Sequence, residues 1–108
     1  MLVLTTSNIE GKKITKYLGI VTGEAVLGAD AFKENFGDIR DVVGGKSAEY
    51  ERELRRAKDI AIDEMCASAQ GKGGNAVIGV DIDYHVINVR EGHNMMMVCV
   101  SGTAVVHE

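Results

Sequence analysis

The spacing of hydrophobic and polar residues changes along the chain and predicts different elements in turn. Residues 14–26 are rich in Ile, Val, Tyr and Thr, which favours a long strand. Its alternation places Leu18 and Ile20 on one face and Val21 on the other. Because both faces carry apolar residues, we expect both to be covered.

A spacing of three to four residues follows and predicts two helices. The first is short, begins near Asp30 and carries the apolar stripe Phe32, Phe36, Ile39 and Val43. The second follows Gly44 and Gly45, with Ser47 expected as its N-cap and glycines 71, 73 and 74 expected to end it. Its apolar stripe is Tyr50, Leu54, Ala57, Ala61, Met65 and Ala69.

The last third of the chain returns to a period of two and predicts a hairpin of two strands. In residues 76–85, Ile78 and Val80 are expected on one face and Val77 and Asp81 on the other. Residues 90–94 have the composition of a turn, and residues 95–106 form the returning strand. In that strand Met95, Met97 and Cys99 point to one face, and Met96, Val98 and Val100 to the other.

These elements define an α+β fold with a split β-α-β-β unit. The third long strand is expected between the first two and antiparallel to both, which is the antiparallel order 1-3-2, with the long helix packed on the sheet. With 108 residues and no repeat or linker, one domain spans residues 1–108.

The two apolar faces of the third strand predict self-association. One helical layer covers only one face, and the other would leave an apolar patch in water at about 25 cal/mol per Å². We therefore expect a closed homo-oligomer. In the alternative, the short helix around Phe32 and Phe36 folds over the second face and the protein is a monomer.

Composition excludes several classes of partner. The net charge is −4, with acidic and basic residues interleaved, so we expect no nucleic-acid partner. No apolar run approaches the roughly 20 residues of a membrane span, and polar residues follow the first four, so neither a membrane segment nor a signal peptide is predicted. The two cysteines are too few for a disulfide framework, which favours the cytoplasm.

A glycine-rich segment before the long helix offers one candidate site. Gly44, Gly45, Lys46 and Ser47 resemble the end of a phosphate-binding loop, but the full pattern needs glycine where Arg40 stands. Nucleotide hydrolysis is therefore disfavoured. A helix cap explains the segment without a ligand, although Arg40 and Lys46 could hold a small anion there.

Asp81 and Asp83 offer a second candidate site. Two residues apart in a strand, their carboxylates face the same side and could share a proton, bind a cation or pair with Arg40, Arg55 or Arg56. An enzyme would need Glu24 or Asp81 with a basic neighbour in a closed pocket. No catalytic residue is assigned, because no nucleophile has an adjacent base in the sequence.

Soft donors for a metal are present but scattered. Cys66, Cys99, three histidines and the consecutive methionines at 95–97 could bind zinc or copper(I), yet no pair has the spacing of a metal site. Core packing explains the methionines equally well. Metal binding is left as a possibility between subunits, where symmetry could bring together copies of His85, His93 or Cys99.

Five segments make the chain similar to the bacterial YbjQ family of uncharacterised proteins. They are residues 21–29, 39–47, 79–84, 95–98 and 100–105. The resemblance spans residues 5–105 and implies a dodecin-like subunit with a short extra helix and short assembly strands, assembled into a homopentamer. It also implies heavy-metal binding, without a motif that transfers residue by residue.

The sequence thus favours a non-enzymatic, homo-oligomeric cytoplasmic binding protein with clefts between its subunits. Its ligand would be a small molecule, an anion or a metal ion, and no cofactor is assigned. The candidate ligand-binding residues are Arg40, Gly44, Gly45, Lys46, Ser47, Asp81 and Asp83. The alternatives are a heavy-metal-binding protein and an enzyme whose site is shared between subunits.

Overall fold

The computed structural model describes residues 1–27, 45–90 and 93–108 as one long helix and four strands. The predicted α+β class, the long helix and the hairpin are confirmed. The predicted short helix from Asp30 to Val43 lies outside the described residues. In chain order the elements are β1 (Leu2–Val3), β2 (Ile14–Leu27), α1 (Gly45–Gly71), β3 (Ala76–Arg90) and β4 (His93–His107).

The strands form one mixed sheet in the order β1-β3-β4-β2. Strand β4 is antiparallel to both β2 and β3, whereas β1 is parallel to the beginning of β3. The three-strand sheet expected from the sequence is therefore incomplete. The period-two pattern does not detect β1 because that strand has only two residues.

The chain after β1 continues along β3 and covers one end of the sheet. The amide of Leu4 donates to the Val77 carbonyl at 2.9 Å, and the amide of Gly79 donates to the Thr6 carbonyl at 2.7 Å. Ile9 is buried on the face opposite α1, where it forms a small apolar cluster with Ala76, Ile78 and Val105. Part of the second face is thus covered from within the subunit.

Helix α1 covers the other face, chiefly over β2 and β4. It begins at Gly45, so Ser47 lies within its first turn and is not the N-cap that the sequence indicates. It ends at Gly71 as predicted, and the Gly74 amide donates to the Ala69 carbonyl at 2.9 Å beyond a positive φ at Gly73. The predicted stripe packs into the main core, with Ala57, Ala61, Met65 and Ala69 buried and Tyr50 and Leu54 partly buried.

An irregularity in β2 makes the predicted division of its faces wrong. The register with β4 shifts between Tyr17 and Gly19, where Gly19 has a φ of 105°. Leu18 and Val21 consequently pack into the same core under α1, while Ile20 is 77% exposed. An extra residue in one strand reverses the alternation beyond it, and the sequence pattern does not reveal that residue.

Strand β3 contains a similar irregularity, which also changes the predicted division of its faces. Its register with β4 shifts between Ile78 and Asp81, and Gly79 within the shift has a φ of 61°. Val77 and Val80 therefore share the core under α1, while Ile78 joins the cluster on the opposite face. The sequence predicted Ile78 and Val80 on one face because strict alternation ignores the bulge.

Helix α1 has 27 residues, and many of them are charged. Within residues 1–27, 45–90 and 93–108, no helix is both long enough and apolar enough to span a bilayer.

Candidate cation site on the open face of the sheet

Beyond the cluster around Ile9, the face opposite α1 is open among the described residues. Three neighbouring rows of residues from three strands form the middle of this surface, and we call these three rows the open face. The residues from the two outer strands are exposed, and those from the central β4 are half-buried. The rows are Thr22–Ser101–Asp81, Glu24–Cys99–Asp83 and Val26–Met97–His85.

The open face is acidic. Its ionisable side chains are three carboxylates, one imidazole and one thiol, and these nine residues include no lysine or arginine. Opposite residues in an antiparallel pair have Cβ atoms about 5 Å apart, so each row places its side chains next to one another. The surface therefore favours cations over anions.

Asp81 and Asp83 interact directly on this face, as their spacing predicts. A hydrogen bond with Asp83 and the negative charge of Asp83 raise the pKa of Asp81 above its ordinary value, with a smaller contribution from burial. Two neighbouring carboxylates share a proton in this way because full ionisation of both is unfavourable. A bound cation would relieve the same repulsion.

The two cysteines occupy different environments, and both are free. Cys99 lies on β4 between Glu24 of β2 and Asp83 of β3. Cys66 lies on α1, where burial and the negative charge of Asp63 raise the pKa of its thiol and the N-terminal amine partly opposes them. A raised pKa keeps the Cys66 thiol protonated and makes it a poor metal ligand.

The donors of the open face fit part of a metal site. Cys99 and one adjacent carboxylate can reach a common ion, but Glu24 and Asp83 are separated by β4 and lie about 10 Å apart, two strand spacings. Across the described part of the chain, no three of the His, Cys, Asp and Glu side chains are grouped to hold a metal. The described part of one subunit therefore supplies an incomplete set of ligands.

The predicted glycine-rich segment does not join this surface in the described structure. Arg40 and Gly44 lie outside the described residues, and Gly45, Lys46 and Ser47 form the start of α1. Of the seven predicted ligand-binding residues, the structure brings together Asp81 and Asp83.

Sequence reasoning missed the row Glu24–Cys99–Asp83. It considered Cys99 as a metal ligand shared between symmetry-related subunits, and it gave Glu24 and Asp81 as alternatives that would each need a basic neighbour. Glu24 and Asp81 lie in different rows on the two outer strands. The missing information is the cross-strand register, which joins residues 75 and 16 positions apart from Cys99 and leaves no local spacing motif.

The fold and this surface define a small α+β protein in which one helix covers one face of a mixed sheet and the other face is partly open. The chain belongs to the YbjQ family, whose model, described as "Putative heavy-metal-binding", matches residues 1–108.

The structure is also similar to a crystal structure of a protein of unknown function from the DUF74 family of Pediococcus pentosaceus. The TM-score is 0.68 at 16% sequence identity, and the match covers 100% of this chain and 98% of the other. This similarity shows a shared fold.

Proposed function

We propose that the protein is a homo-oligomeric binding protein for a soft divalent metal ion, held on the open face by Cys99 and adjacent carboxylates. The row Glu24–Cys99–Asp83 is the observation that carries this function, because it places a thiol between two oxygen donors. Thiolate ligands select soft metals such as cadmium and zinc over magnesium and calcium. The family description supports the same class of ligand.

Assembly is part of the proposal because one subunit supplies too few converging donors. A structural metal site normally has four ligands, and here Cys99 with Asp83 or Glu24 supplies two. A second copy would bring further carboxylate or imidazole groups to the same ion. The dodecin-like pentamer implied by the family resemblance, with its clefts between subunits, is the assembly we propose.

The function is tested by titrating the reduced, untagged protein with Cd²⁺ under anaerobic conditions. Cadmium bound to thiolate gives an ultraviolet charge-transfer band, so the band reports coordination by cysteine directly. We expect saturable binding in the wild-type protein, no band in Cys99→Ser, and an unchanged band in Cys66→Ser. Asp83→Asn is expected to weaken binding by about tenfold, because one ligand is lost.

Cys66→Ser is the matched control, since both thiols are half-buried and free but only Cys99 lies between carboxylates. Equal bands in the two variants, or a band that disappears only with Cys66, would refute the assignment. Excess Mg²⁺ should leave the band unchanged, and its displacement by Mg²⁺ would indicate a site without thiolate.

A further inference from the structure

Both long edges of the sheet lack a strand partner among the described residues. Strand β2 is the last strand on one side. On the other side, β1 and the segment after it reach only to Val80, where the Val80 amide donates to the Leu4 carbonyl at 3.1 Å. From Asp81 onward the outer edge of β3 has no strand partner in the described part of the chain. Unpaired strand edges are templates for pairing with another strand.

The unpaired part of β3 also carries two exposed apolar side chains on the helix side of the sheet. Tyr84 and Val86 lie opposite Val98 and Met96, and these β4 residues are buried in the core under α1. Tyr84 and Val86 nevertheless remain 46% and 58% exposed, because α1 lies over β2 and β4 and scarcely reaches β3. This pair lacks a cover from its own helix.

At the opposite edge, α1 and β2 form the sides of a cavity of about 210 Å³ that is open to solvent. Its floor is formed by Ala25 and Leu27, and its wall includes Ala57 and Ile60 of the helix together with the charged residues Glu53 and Arg56. Ile60 is 47% exposed there. A strand placed beside β2 would send its helix-side residues into this cavity.

The exposed pair and the cavity lie at the same level of the sheet. Ala25, Val98 and Tyr84 form one row across the three strands, and Leu27, Met96 and Val86 form the next. A neighbouring copy that continues the sheet without a shift in register keeps these rows in line. Its cavity would then face Tyr84 and Val86 without a shift along the strand.

We propose that the β3 edge of one copy pairs with the β2 edge of the next, with Tyr84 and Val86 entering the cavity beside Ile60. This interface rests on the homo-oligomer of the proposed function and specifies how it is built. Each copy uses two different edges, so the contact is head-to-tail, and it forms a ring when the rotation between neighbouring copies closes. Strands β2 and β3 are both antiparallel to β4, so the new pair is parallel.

The same pairing adds a carboxylate of the next copy to the row of donors on the open face. With the rows in line, Glu24 of the next copy lies beside Asp83, which is itself next to Cys99. Asp83 then has Cys99 of its own copy on one side and Glu24 of the next copy on the other, so each junction places a second carboxylate beside the ligand Asp83. Without a cation, this junction brings carboxylates together.

Charge substitutions at the two surfaces test the interface. Val86→Lys and Ile60→Glu each place a charge in the apolar contact, and light scattering should show the mass of each variant falling toward the subunit mass of 11.6 kDa. The double variant Val86→Lys/Ile60→Glu should regain the wild-type mass, because every head-to-tail junction then pairs Lys with Glu. Circular dichroism and thermal unfolding at matched concentration check that each subunit folds.

Ile20→Lys is the control, because Ile20 is exposed but lies on the face opposite the cavity. It should retain the wild-type mass. The interface is overturned if both single variants retain that mass, if the double variant does not regain it, or if only Ile20→Lys dissociates, which would indicate stacking through the opposite face.

Cadmium titration of the same variants separates this inference from the proposed function. Under the interface model, Val86→Lys weakens Cd²⁺ binding by about tenfold and the double variant restores it, since Glu24 of the next copy is the outer neighbour of the ligand Asp83 and loss of such a neighbour weakens a metal site by about this factor. A wild-type protein with the subunit mass overturns both the assembly and the interface. Assembled wild type with intact single variants overturns the interface alone.

Discussion

Gly23 of β2 lies directly against the backbone of Ala61 in α1, so that a Cβ atom on Gly23 would collide with the Ala61 carbonyl oxygen. Ala61 itself is fully buried. The absence of a side chain at Gly23 sets how closely α1 approaches the sheet. Gly23 lies in β2, and α1 is positioned over β2 and β4 and away from the outer part of β3.

Gly23→Ala is therefore expected to lower the free energy of unfolding by about 2 kcal/mol or more, because overpacking against backbone atoms forces the helix away from the sheet. Denaturant unfolding measures the change. Gly71→Ala is the control, since no atom lies within 4 Å of a Cβ built there. Equal stability of the two variants would show that α1 does not depend on this approach.

Gly79→Ala tests the bulge that separates the faces of β3. Gly79 has a φ of 61°, which costs a residue with a Cβ roughly 1–2 kcal/mol, although no atom would contact that Cβ. We expect a destabilisation of that size from backbone conformation alone. A variant as stable as wild type in denaturant unfolding would contradict the observed φ.

Asp83→Asn tests the shared proton on the open face. The Asp83 carboxylate raises the pKa of Asp81, so its neutral replacement should return that pKa toward the ordinary value. Carboxyl carbon chemical shifts followed by NMR during a pH titration report the change. Asp59→Asn, on the exposed surface of α1 and on the other side of the sheet, should leave the Asp81 titration largely unaltered.

The sign of this effect on stability follows from the raised pKa. The folded state holds the proton of Asp81 more tightly than the unfolded chain does, so this contribution is present at low pH and is lost as pH rises through the folded pKa. Asp83→Asn should therefore remove this decrease in the free energy of unfolding with rising pH. Increasing stability of the wild type relative to Asp83→Asn across the same pH interval would contradict the assignment.

Asn75→Ala tests the connection between the beginning of β3 and the end of β4. The side-chain nitrogen Nδ2 of Asn75 donates to the His107 carbonyl at 3.0 Å, and the backbone amide of His107 donates to the side-chain oxygen Oδ1 of Asn75 at 2.9 Å. Loss of both hydrogen bonds should cost about 1–2 kcal/mol in denaturant unfolding. Asn8→Ala is a suitable control, because the hydrogen bond from Thr6 to Asn8 uses the backbone carbonyl and survives.

The parts of the fold that depend on local repetition were predictable. The apolar stripe of α1 and the alternation within β4 each repeat over many residues, so neighbouring positions give the same prediction. The glycines that end α1 are a local signal of the same kind of reliability. The spacing of Asp81 and Asp83 likewise sufficed to place both carboxylates on one side of a strand. Such features need no knowledge of the neighbouring strands.

The sequence by itself determined the α+β class, the long helix and the hairpin, because the spacing of buried residues within a helix or a strand follows the geometry of that element alone. Only the tertiary structure decided which faces Leu18 and Ile78 occupy, since bulges at Gly19 and Gly79 reverse the alternation. Only the register brought Glu24 and Asp83 to either side of Cys99. Cross-strand neighbours are fixed by pairing over long sequence distances, and such pairing leaves no periodic trace in the chain.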